Sequence, residues 1–231
     1  MPSGPALEVS ELFDSLQGEG VSAGAPSRFL RLAGCNLACA WCDTRYSWDW
    51  ARFDRGAEAR WMTLAELAER LASPPGERLV VTGGEPLLQR EALAALAERL
   101  DPRTTIELET NGTLEPGPQL LGRVDQWNVS PKLTSAGGPE LARVVPPALR
   151  ALRDSGRAWL KLVVQAAELE EAAALVASLG WPAGRVLLMA RGATRAALAA
   201  QGPAVAAAAL ARGWRYSPRL HVELWGSRRG V

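Results

Sequence analysis

Three thiol groups lie close together near the start of this chain. The stretch RLAGCNLACAWCDTRYSW, residues 31–48, contains every cysteine of the sequence, namely Cys35, Cys39 and Cys42. Three thiolates leave one iron of a four-iron cluster without a protein ligand, so that a small molecule can bind there. The number and spacing of the cysteines therefore favour a 4Fe–4S cluster with one exchangeable position.

Two other interpretations of the cysteines stay open. Structural zinc normally takes four protein ligands, and the fourth ligand would have to be His221, which is the one histidine in the sequence. Alternatively, the three cysteines are small buried residues without a metal. A disulfide framework is disfavoured because the number of cysteines is odd and no secretory signal precedes them.

The composition limits the class of protein. A chain of 231 residues can bury one full core, so we expect a single domain over residues 1–231. The 26 basic and 25 acidic side chains leave a formal charge of +1, which does not indicate a nucleic acid or a membrane surface as partner. Because neither a signal peptide nor a membrane-spanning apolar run is visible, we expect a cytoplasmic protein with reduced thiols.

Strand-like and helix-like segments alternate along the chain, which predicts βα units and a largely parallel sheet. The predicted strands are 28–32, 79–82, 104–109, 126–129, 159–165, 185–189 and 219–224, and the predicted helices are 63–72, 87–100, 139–153, 167–179 and 194–211. Thr63 and Thr194 are candidate N-caps. Since a complete eight-fold barrel takes about 250 residues, we expect an α/β fold, a partial, open (βα)6-type barrel with a reduced set of helices. The aromatic-rich residues 43–62 are expected to form an insertion.

The spacing Cys-x3-Cys-x2-Cys resembles the signature of the radical S-adenosylmethionine (SAM) superfamily, and Trp41 before the third cysteine also matches it. The resemblance implies that the open iron binds SAM. One electron, from an external donor such as a flavodoxin, then yields a 5′-deoxyadenosyl radical that removes a hydrogen atom from the substrate. It also implies that the cofactor supplies the radical that reacts with the substrate, so we expect no catalytic side chain in addition to that radical.

A second stretch, VVTGGEPLLQ at residues 80–89, ends a predicted strand with two glycines and an acid. Gly83 and Gly84 let a ligand approach bare backbone, and Glu85 offers an acceptor for an ammonium group. Alone, this turn is typical of an ordinary strand-to-helix connection. Together with the cysteines it resembles the superfamily segment that holds the amino group of SAM. In ELETNGT, residues 107–113, the resemblance places Glu109 near the ribose of SAM, and a simple turn is the alternative.

Four stretches narrow the resemblance to one group of radical SAM lyases. They are LFDSLQGEG at residues 12–20, the cysteine stretch itself, NVSPK at residues 128–132 and RLHVELWGSRRGV at residues 219–231. They resemble the enzymes that contract the ring of 6-carboxy-5,6,7,8-tetrahydropterin to 7-carboxy-7-deazaguanine, with loss of ammonia, on the route to queuosine and other 7-deazapurines. The resemblance also implies a homodimer.

A flat heterocycle that carries amide groups and a carboxylate needs planar hydrogen-bond partners and a cation. By resemblance, the substrate contacts are Leu16, Gln17, Gly18, Glu19, Arg31, Thr82 and His221. Arg31 would hold the substrate carboxylate as a fork, and an exposed strand arginine is the alternative. For His221 the alternative is a packed or solvent-facing residue.

The resemblance also assigns the metal and cofactor contacts. Thr44 would hold magnesium together with the substrate, because this ion keeps waters and takes only one or two protein oxygens. The implied SAM contacts are Trp41, Asp43, Gly83, Gly84, Glu85, Glu109, Ser130, Pro131 and Lys132. Only Lys132 and Lys161 are lysines among the 26 basic residues, which suggests that Lys132 supplies a needed compact ammonium. Lys161 is either similar or a strand-edge charge, and stays outside the predicted site.

Two other functions share some of these features. An activating enzyme that makes a glycyl radical on a partner protein would share the cysteines and the Gly-Gly-Glu turn, but it would need an open docking surface. A simple electron-transfer iron–sulfur protein normally supplies four cysteines to its cluster. The missing fourth cysteine disfavours the electron-transfer protein.

Overall fold

The computed structural model of this chain describes residues 4–72 and 78–231, and its strands form one continuous sheet. The strands are β1 (Ala6–Leu16), β2 (Pro26–Leu32), β3 (Arg60–Thr63), β4 (Arg78–Gly83), β5 (Thr105–Thr110), β6 (Gln126–Val129), β7 (Ala158–Val164), β8 (Val186–Ala190) and β9 (Arg215–Ser217). Their order across the sheet is β3-β1-β2-β4-β5-β6-β7-β8-β9. Strands β2 and β4 to β9 are parallel, whereas β1 and β3 are antiparallel additions at one side.

Helices connect the parallel strands. Their bounds are α1 (Arg55–Glu58), α2 (Leu64–Leu71), α3 (Arg90–Ala97), α4 (Pro118–Arg123), α5 (Glu140–Arg143), α6 (Pro146–Asp154), α7 (Leu169–Leu179), α8 (Arg195–Ala211) and α9 (Leu220–Trp225). Strands β3 and β9 are the two edges of the sheet, which therefore stays open. The prediction of a partial, open α/β barrel is confirmed.

The helix starts follow the polar side chains that the sequence offers. The Thr63 hydroxyl accepts a hydrogen bond from the backbone N–H of Glu66, and the Glu66 carboxylate accepts one from the backbone N–H of Thr63. Thr194 accepts from the N–H of Ala197 at the start of α8. Because these side chains satisfy N–H groups that lack a partner within the helix, they fix where each helix begins. Both predicted N-caps are confirmed.

The core lies where the helices cover the sheet. Trp127, Leu108, Leu160 and Leu188 come from four neighbouring parallel strands and are fully buried. Strands β7 and β8 are apolar over nearly their whole length, as expected for parallel strands that are buried on both faces, whereas β5 and β6 alternate apolar and polar residues. The core fixes the parallel strands rigidly, so the residues at their carboxyl ends are held in place.

Several sequence predictions were wrong. Residues 219–224 do not form a strand, since α9 occupies 220–225 and the last strand is β9 at 215–217. The prediction missed β1, an 11-residue strand, and β3, which begins inside the predicted insertion. The predicted helix over 139–153 is two helices, because Val145 is extended before Pro146 and a residue before proline disfavours the helical region.

Within the described residues, no helix is both long enough and apolar enough to cross a membrane.

Candidate functional site

A cavity of about 510 Å³ opens at the carboxyl ends of the parallel strands. This is the end of an α/β barrel at which active sites are built, because loops from many strands meet there. The predicted residues on its wall are Leu16, Gln17, Gly18, Glu19, Arg31, Cys35, Cys39, Trp41, Cys42, Asp43, Thr44, Thr82, Gly83, Gly84, Glu109, Ser130, Lys132 and His221. Glu85 and Pro131 do not line the cavity. Stretches that lie far apart in the sequence thus share one cavity.

The cysteines lie on the segment that follows β2, residues 33–48, which we call the cysteine loop. All three are free of disulfide bonds. The N–H of Leu37 donates to Cys35 Sγ over 3.4 Å, and Trp48 Nε1 donates to Cys42 Sγ over 3.2 Å. Burial raises the pKa of the Cys35 thiol to about 11 and also raises that of Cys39. Metal binding must therefore displace protons from these thiols.

The donor set of the cysteine loop fits a 4Fe–4S cluster. Three thiolates bind three different irons, so their sulfurs need to surround a cluster and not a single point. N–H donors to sulfur, as at Cys35 and Cys42, tune such clusters. The cavity borders all three thiols.

Glu85 is held by hydrogen bonds within the protein. Its side chain is fully buried and accepts hydrogen bonds from the Thr110 hydroxyl at 2.8 Å and from the N–H groups of Asn111 and Leu87 at 2.7 and 3.0 Å. Burial raises the pKa of this carboxyl group. These three bonds fix the turn after β4, and Glu85 itself does not line the cavity. Its contact with the amino group of SAM stays a prediction.

Asn111 connects this turn to the cysteine loop. Its side-chain Nδ2 donates to Asn36 Oδ1 over 2.9 Å, and Asn36 Nδ2 in turn donates to Thr113 Oγ1 over 2.8 Å. Asn111 and Thr113 are buried, so these bonds are shielded from water. Asn36, the residue after Cys35, is thereby hydrogen-bonded to the segment that follows β5. The sequence prediction included Glu109 from this segment but missed Asn36 and Asn111.

Gly83 and Gly84 are needed for packing against the cysteine loop. A Cβ atom on Gly83 would lie 2.2 Å from the carbonyl oxygen of Leu32, and one on Gly84 would lie 2.1 Å from that of Gly34. Gly83 also has a φ of +147°, which side chains disfavour. Both glycines still border the cavity. They bring the turn after β4 against the backbone that leads into Cys35.

Charged side chains and one threonine form a continuous set of contacts along the cavity wall, which we call the charged network. Its members are Asp43, Arg219, Glu19, Lys161, Glu109 and Thr82, from six separate segments. Lys161 Nζ lies 2.5 Å from Glu19 Oε2 and 3.3 Å from Glu109 Oε1. The Thr82 hydroxyl donates to Glu109 Oε2 over 2.8 Å.

Arg219 completes the charged network on the side of the cysteine loop. Its Nε donates to Glu19 Oε1 over 3.0 Å, and its Nη2 binds Asp43, the residue after Cys42. Burial alone would raise the pKa of Glu19, but Lys161 and Arg219 hold it well below its usual range. The sequence prediction left Lys161 out and missed Arg219. Lys161 lies in the middle of β7 and Arg219 directly precedes α9, and only the rarity of lysine gave a signal for Lys161.

The side chain of Gln17, which lines the cavity, also forms hydrogen bonds within the protein. Its Nε2 donates to Glu107 Oε1 over 2.7 Å, and its Oε1 accepts from the N–H of Glu19 over 3.2 Å. Glu107 is fully buried and also binds Ser22 and Arg78. The Gln17 amide is therefore used to hold the turn between β1 and β2, which places Glu19 in the cavity.

Arg31 retains the donors that its predicted role needs. Its Nε donates to Glu11 Oε2 over 2.7 Å, and the same oxygen accepts from the Tyr46 hydroxyl over 2.8 Å. Within the described residues, no hydrogen bond occupies the two terminal nitrogens of Arg31, and the side chain borders the cavity. The ion pair on one side orients the guanidinium, so that its other edge remains available for a carboxylate.

The remaining predicted contacts form two groups. Thr44 Oγ1 lies 3.6 Å from Cys42 Sγ, at the end of the cysteine loop. Lys132 Nζ donates to the carbonyl and hydroxyl oxygens of Ser130 over 2.8 and 3.0 Å and lies 5.8 Å from the centre of the Trp41 ring. These contacts leave Lys132 on the cavity wall beside the cysteines.

His221 is packed against the turn that holds Gly18. A Cβ atom on Gly18 would lie 2.1 Å from His221 Nδ1, and the Gly18 carbonyl accepts from the N–H of Leu220 over 2.8 Å. Burial lowers the pKa of His221, and the nearby Arg219 guanidinium lowers it further, while Glu19 opposes them. The neutral imidazole therefore faces the cavity at neutral pH. The glycine at position 18 thus leaves room for the His221 ring.

Comparisons with known proteins agree with this geometry. Residues 30–135 match the model of the Radical SAM superfamily. The chain is 41% identical to the 7-carboxy-7-deazaguanine synthase of Pyrobaculum aerophilum over 233 residues, with 100% of each chain covered. It is 37% identical to that of Halobacterium salinarum, covering 96% of this chain and 91% of the other. The crystal structure of QueE from Escherichia coli matches with a TM-score of 0.68 and 28% identity, covering 92% and 93% of the two chains.

Proposed function

Because this chain belongs to the 7-carboxy-7-deazaguanine synthase family of the radical SAM superfamily, we propose that it converts 6-carboxy-5,6,7,8-tetrahydropterin to 7-carboxy-7-deazaguanine with loss of ammonia. This is a carbon–nitrogen lyase reaction in the synthesis of queuosine and other 7-deazapurines. The observation that supports it most is the shared cavity, which joins the three cysteines to Arg31 and the charged network.

The cofactors are a 4Fe–4S cluster, which Cys35, Cys39 and Cys42 would hold, and SAM, which would bind at the open position of the cluster. When bound, they supply the radical that abstracts hydrogen from the substrate. SAM would lie along the cavity wall formed by Trp41, Asp43, Gly83, Gly84, Glu109, Ser130 and Lys132. The chain's own contribution is orientation, because a substrate held close to the reacting centre needs no further ordering before reaction.

The substrate contacts follow from the charges on the cavity wall. Arg31 would hold the carboxylate of the pterin with its two terminal nitrogens, since Glu11 already fixes the other edge of the guanidinium. Glu19 would accept from N–H groups of the ring, and His221 would close the side formed by α9. Leu16, Gly18 and Thr82 line the same part of the wall. We propose in addition that Thr44 binds magnesium, which would bridge to substrate oxygens.

The proposal is tested by anaerobic reconstitution of the protein with iron and sulfide. Incubation with SAM, a reductant and carboxytetrahydropterin should yield 7-carboxy-7-deazaguanine and ammonia in equal amounts, detected by chromatography and mass spectrometry. A Cys39→Ala variant serves as the matched control, because it removes one cluster ligand and should make no product. Failure of the reconstituted wild-type protein to convert this pterin would contradict the proposal.

The broader setting is also a proposal. One continuous sheet and one core support a single domain over residues 1–231. An external electron donor such as a flavodoxin is needed to reduce the cluster, and free thiols with an oxygen-sensitive cluster support a cytoplasmic location. We also propose a homodimer, and Trp61, which is 42% exposed on the edge strand β3, is the surface side chain chosen to test it. A mass measurement in solution, on wild type and Trp61→Glu, tests the homodimer.

A further inference from the structure

Lys161 is a buried cation at the centre of the cavity wall. It lies on β7, its side chain is 5% exposed, and its Nζ contacts the carboxylates of Glu19 and Glu109. Burial alone would lower the pKa of Lys161, but Glu109 and Glu19 outweigh this and raise it, so the ammonium stays charged. A buried charge is costly unless it is paired. Lys161 is paired with Glu19, which is 142 positions away in sequence, and with Glu109, which is 52 positions away.

The cations use only part of the Glu19 carboxylate. Lys161 contacts one oxygen and Arg219 contacts the other, while an ionised carboxylate offers about four acceptor positions. Glu19 therefore retains acceptor capacity on the cavity wall. The cations on its two oxygens also hold the carboxylate in one orientation, as expected for a group that recognises a planar ligand.

The proposed substrate offers matching donors. A pterin has a 2-amino group and a ring N–H on one edge, and these groups point in the same direction. A fixed carboxylate can accept from both, in the same way that it accepts two parallel bonds from a guanidinium. At the other end of the ligand, the positive charge of Arg31 would pair with the negative charge of the substrate carboxylate. On the cavity wall, Arg31 thus matches the carboxylate and Glu19 matches the N–H edge.

We propose that Lys161 is a positioning residue for substrate specificity, which, with Arg219, fixes Glu19 as an ionised acceptor for the amino edge of the pterin. The inference rests on the proposed function. Lysine suits this position because a compact ammonium can contact Glu19 and Glu109 at once, whereas a planar guanidinium would need a different geometry. This explains why one of only two lysines in a chain with 26 basic residues is found here.

The test compares two ligands and three proteins. The ligands are 6-carboxytetrahydropterin and an analogue in which an oxygen replaces the 2-amino group. The proteins are wild type, Lys161→Met and, as a matched control, Arg103→Met, which also removes one cation from an ion pair but on the exposed surface, at Asp101. Binding is measured by calorimetry on the cluster-loaded protein without SAM, so that contacts to the cofactor do not contribute.

Wild type and Arg103→Met should prefer the amino ligand by roughly 10- to 100-fold, the worth of a charge-assisted hydrogen bond. Lys161→Met should lose most of this preference. In turnover, KM for the pterin should rise more than kcat falls, because the contact acts in binding. Lys161→Arg should recover part of the preference. If Lys161 were merely structural, Lys161→Met would weaken the binding of both ligands equally. Equal weakening of binding, with the preference for the amino ligand intact, would overturn the inference.

A second variant keeps the test decisive if Lys161→Met does not fold. Lys161→Met with Glu109→Gln removes one cation and one anion together, so no extra buried charge is left unpaired. This protein should fold and should also lose preference for the amino ligand, and a full wild-type preference would overturn the inference. Failure of the proposed function is distinguishable, because wild type itself would then neither bind nor convert the pterin.

Discussion

Arg31 Nε lies 2.7 Å from Glu11 Oε2 on the neighbouring strand, and this ion pair orients the guanidinium towards the cavity. The two residues are 20 positions apart, and the antiparallel pairing of β1 with β2 places them directly opposite each other. The pair provides a fixed cation whose terminal nitrogens remain available. Our first prediction concerns this cation.

Arg31→Ala should weaken productive binding of the carboxylated pterin by about 1.5–3 kcal/mol, or one to two decades in Kd. Arg31→Lys should recover only part of the loss, because a point charge cannot replace the planar fork. Binding should be compared for the pterin with and without its carboxylate. Glu11→Gln is the control for the loss of orientation alone. A mutant that still discriminates fully between the two ligands would place the carboxylate at another residue.

The cysteines should bind a complete cluster. Protein purified without oxygen should contain about four irons and four sulfides per chain. Replacing Cys35, Cys39 or Cys42 by alanine should abolish the cluster, because each thiolate holds a different iron. Iron and sulfide analysis and the visible absorption spectrum are the measurements. Stoichiometric zinc that depends on His221 would contradict this prediction.

Thr44 should determine the response to magnesium. Its hydroxyl lies 3.6 Å from Cys42 Sγ and lines the cavity, where it would bind the ion. Thr44→Ala should lose most of the stimulation by magnesium, since only one or two protein oxygens hold this ion. The cluster spectrum should remain that of wild type. An unchanged response of kcat/KM to magnesium in the variant would move the ion elsewhere.

Gly18→Ala should displace helix α9. The new methyl group would overlap His221 Nδ1, and such overpacking typically costs about 1–3 kcal/mol. We expect a lower Tm and a higher KM for the pterin. Adding His221→Ala removes the overlap and should restore the Tm but not the substrate affinity. If the double variant is as unstable as Gly18→Ala, the strain arises at another contact.

The stability of the protein should fall in mild acid partly because of His221. Its folded-state pKa is lowered by burial, so at pH values between that pKa and its unfolded pKa the unfolded chain binds more protons than the native one. Unfolding is then favoured as the pH decreases. Between about pH 7.5 and about pH 5.5, the Tm of wild type should therefore drop more than that of His221→Gln. Equal drops would show that His221 does not contribute.

The sequence by itself determined the chemistry of the cysteine loop and most of the parallel strands. Three thiols within residues 35–42 are close in any fold, because the intervening chain is too short to separate them. Strand β6 occupies 126–129 as predicted, and the N-caps at Thr63 and Thr194 were correct, since both features depend on neighbouring residues only. Local spacing was sufficient for each of them.

Strand β1 and helix α9 show where local patterns fail. The register of β1 shifts between Val9 and Glu11, and this irregularity interrupts the alternation that predicts a strand. Residues 220, 222 and 224 alternate like a strand, yet they form a helix in which Val222 is buried and Leu224 is 46% exposed. Docking of α9 on Gly18 decides the conformation, and that contact spans about two hundred residues of chain.

Only the tertiary structure decided the charged network and the true use of several predicted side chains. Lys161 and Arg219 have no local signature, because their partners Glu19, Glu109 and Asp43 come from other strands and loops. The amide of Gln17 and the carboxylate of Glu85 looked available for ligands, but their hydrogen bonds are made within the protein. Whether a polar group faces a ligand or the protein depends on which elements surround it, and that is fixed by the packing of the strands rather than by residue type.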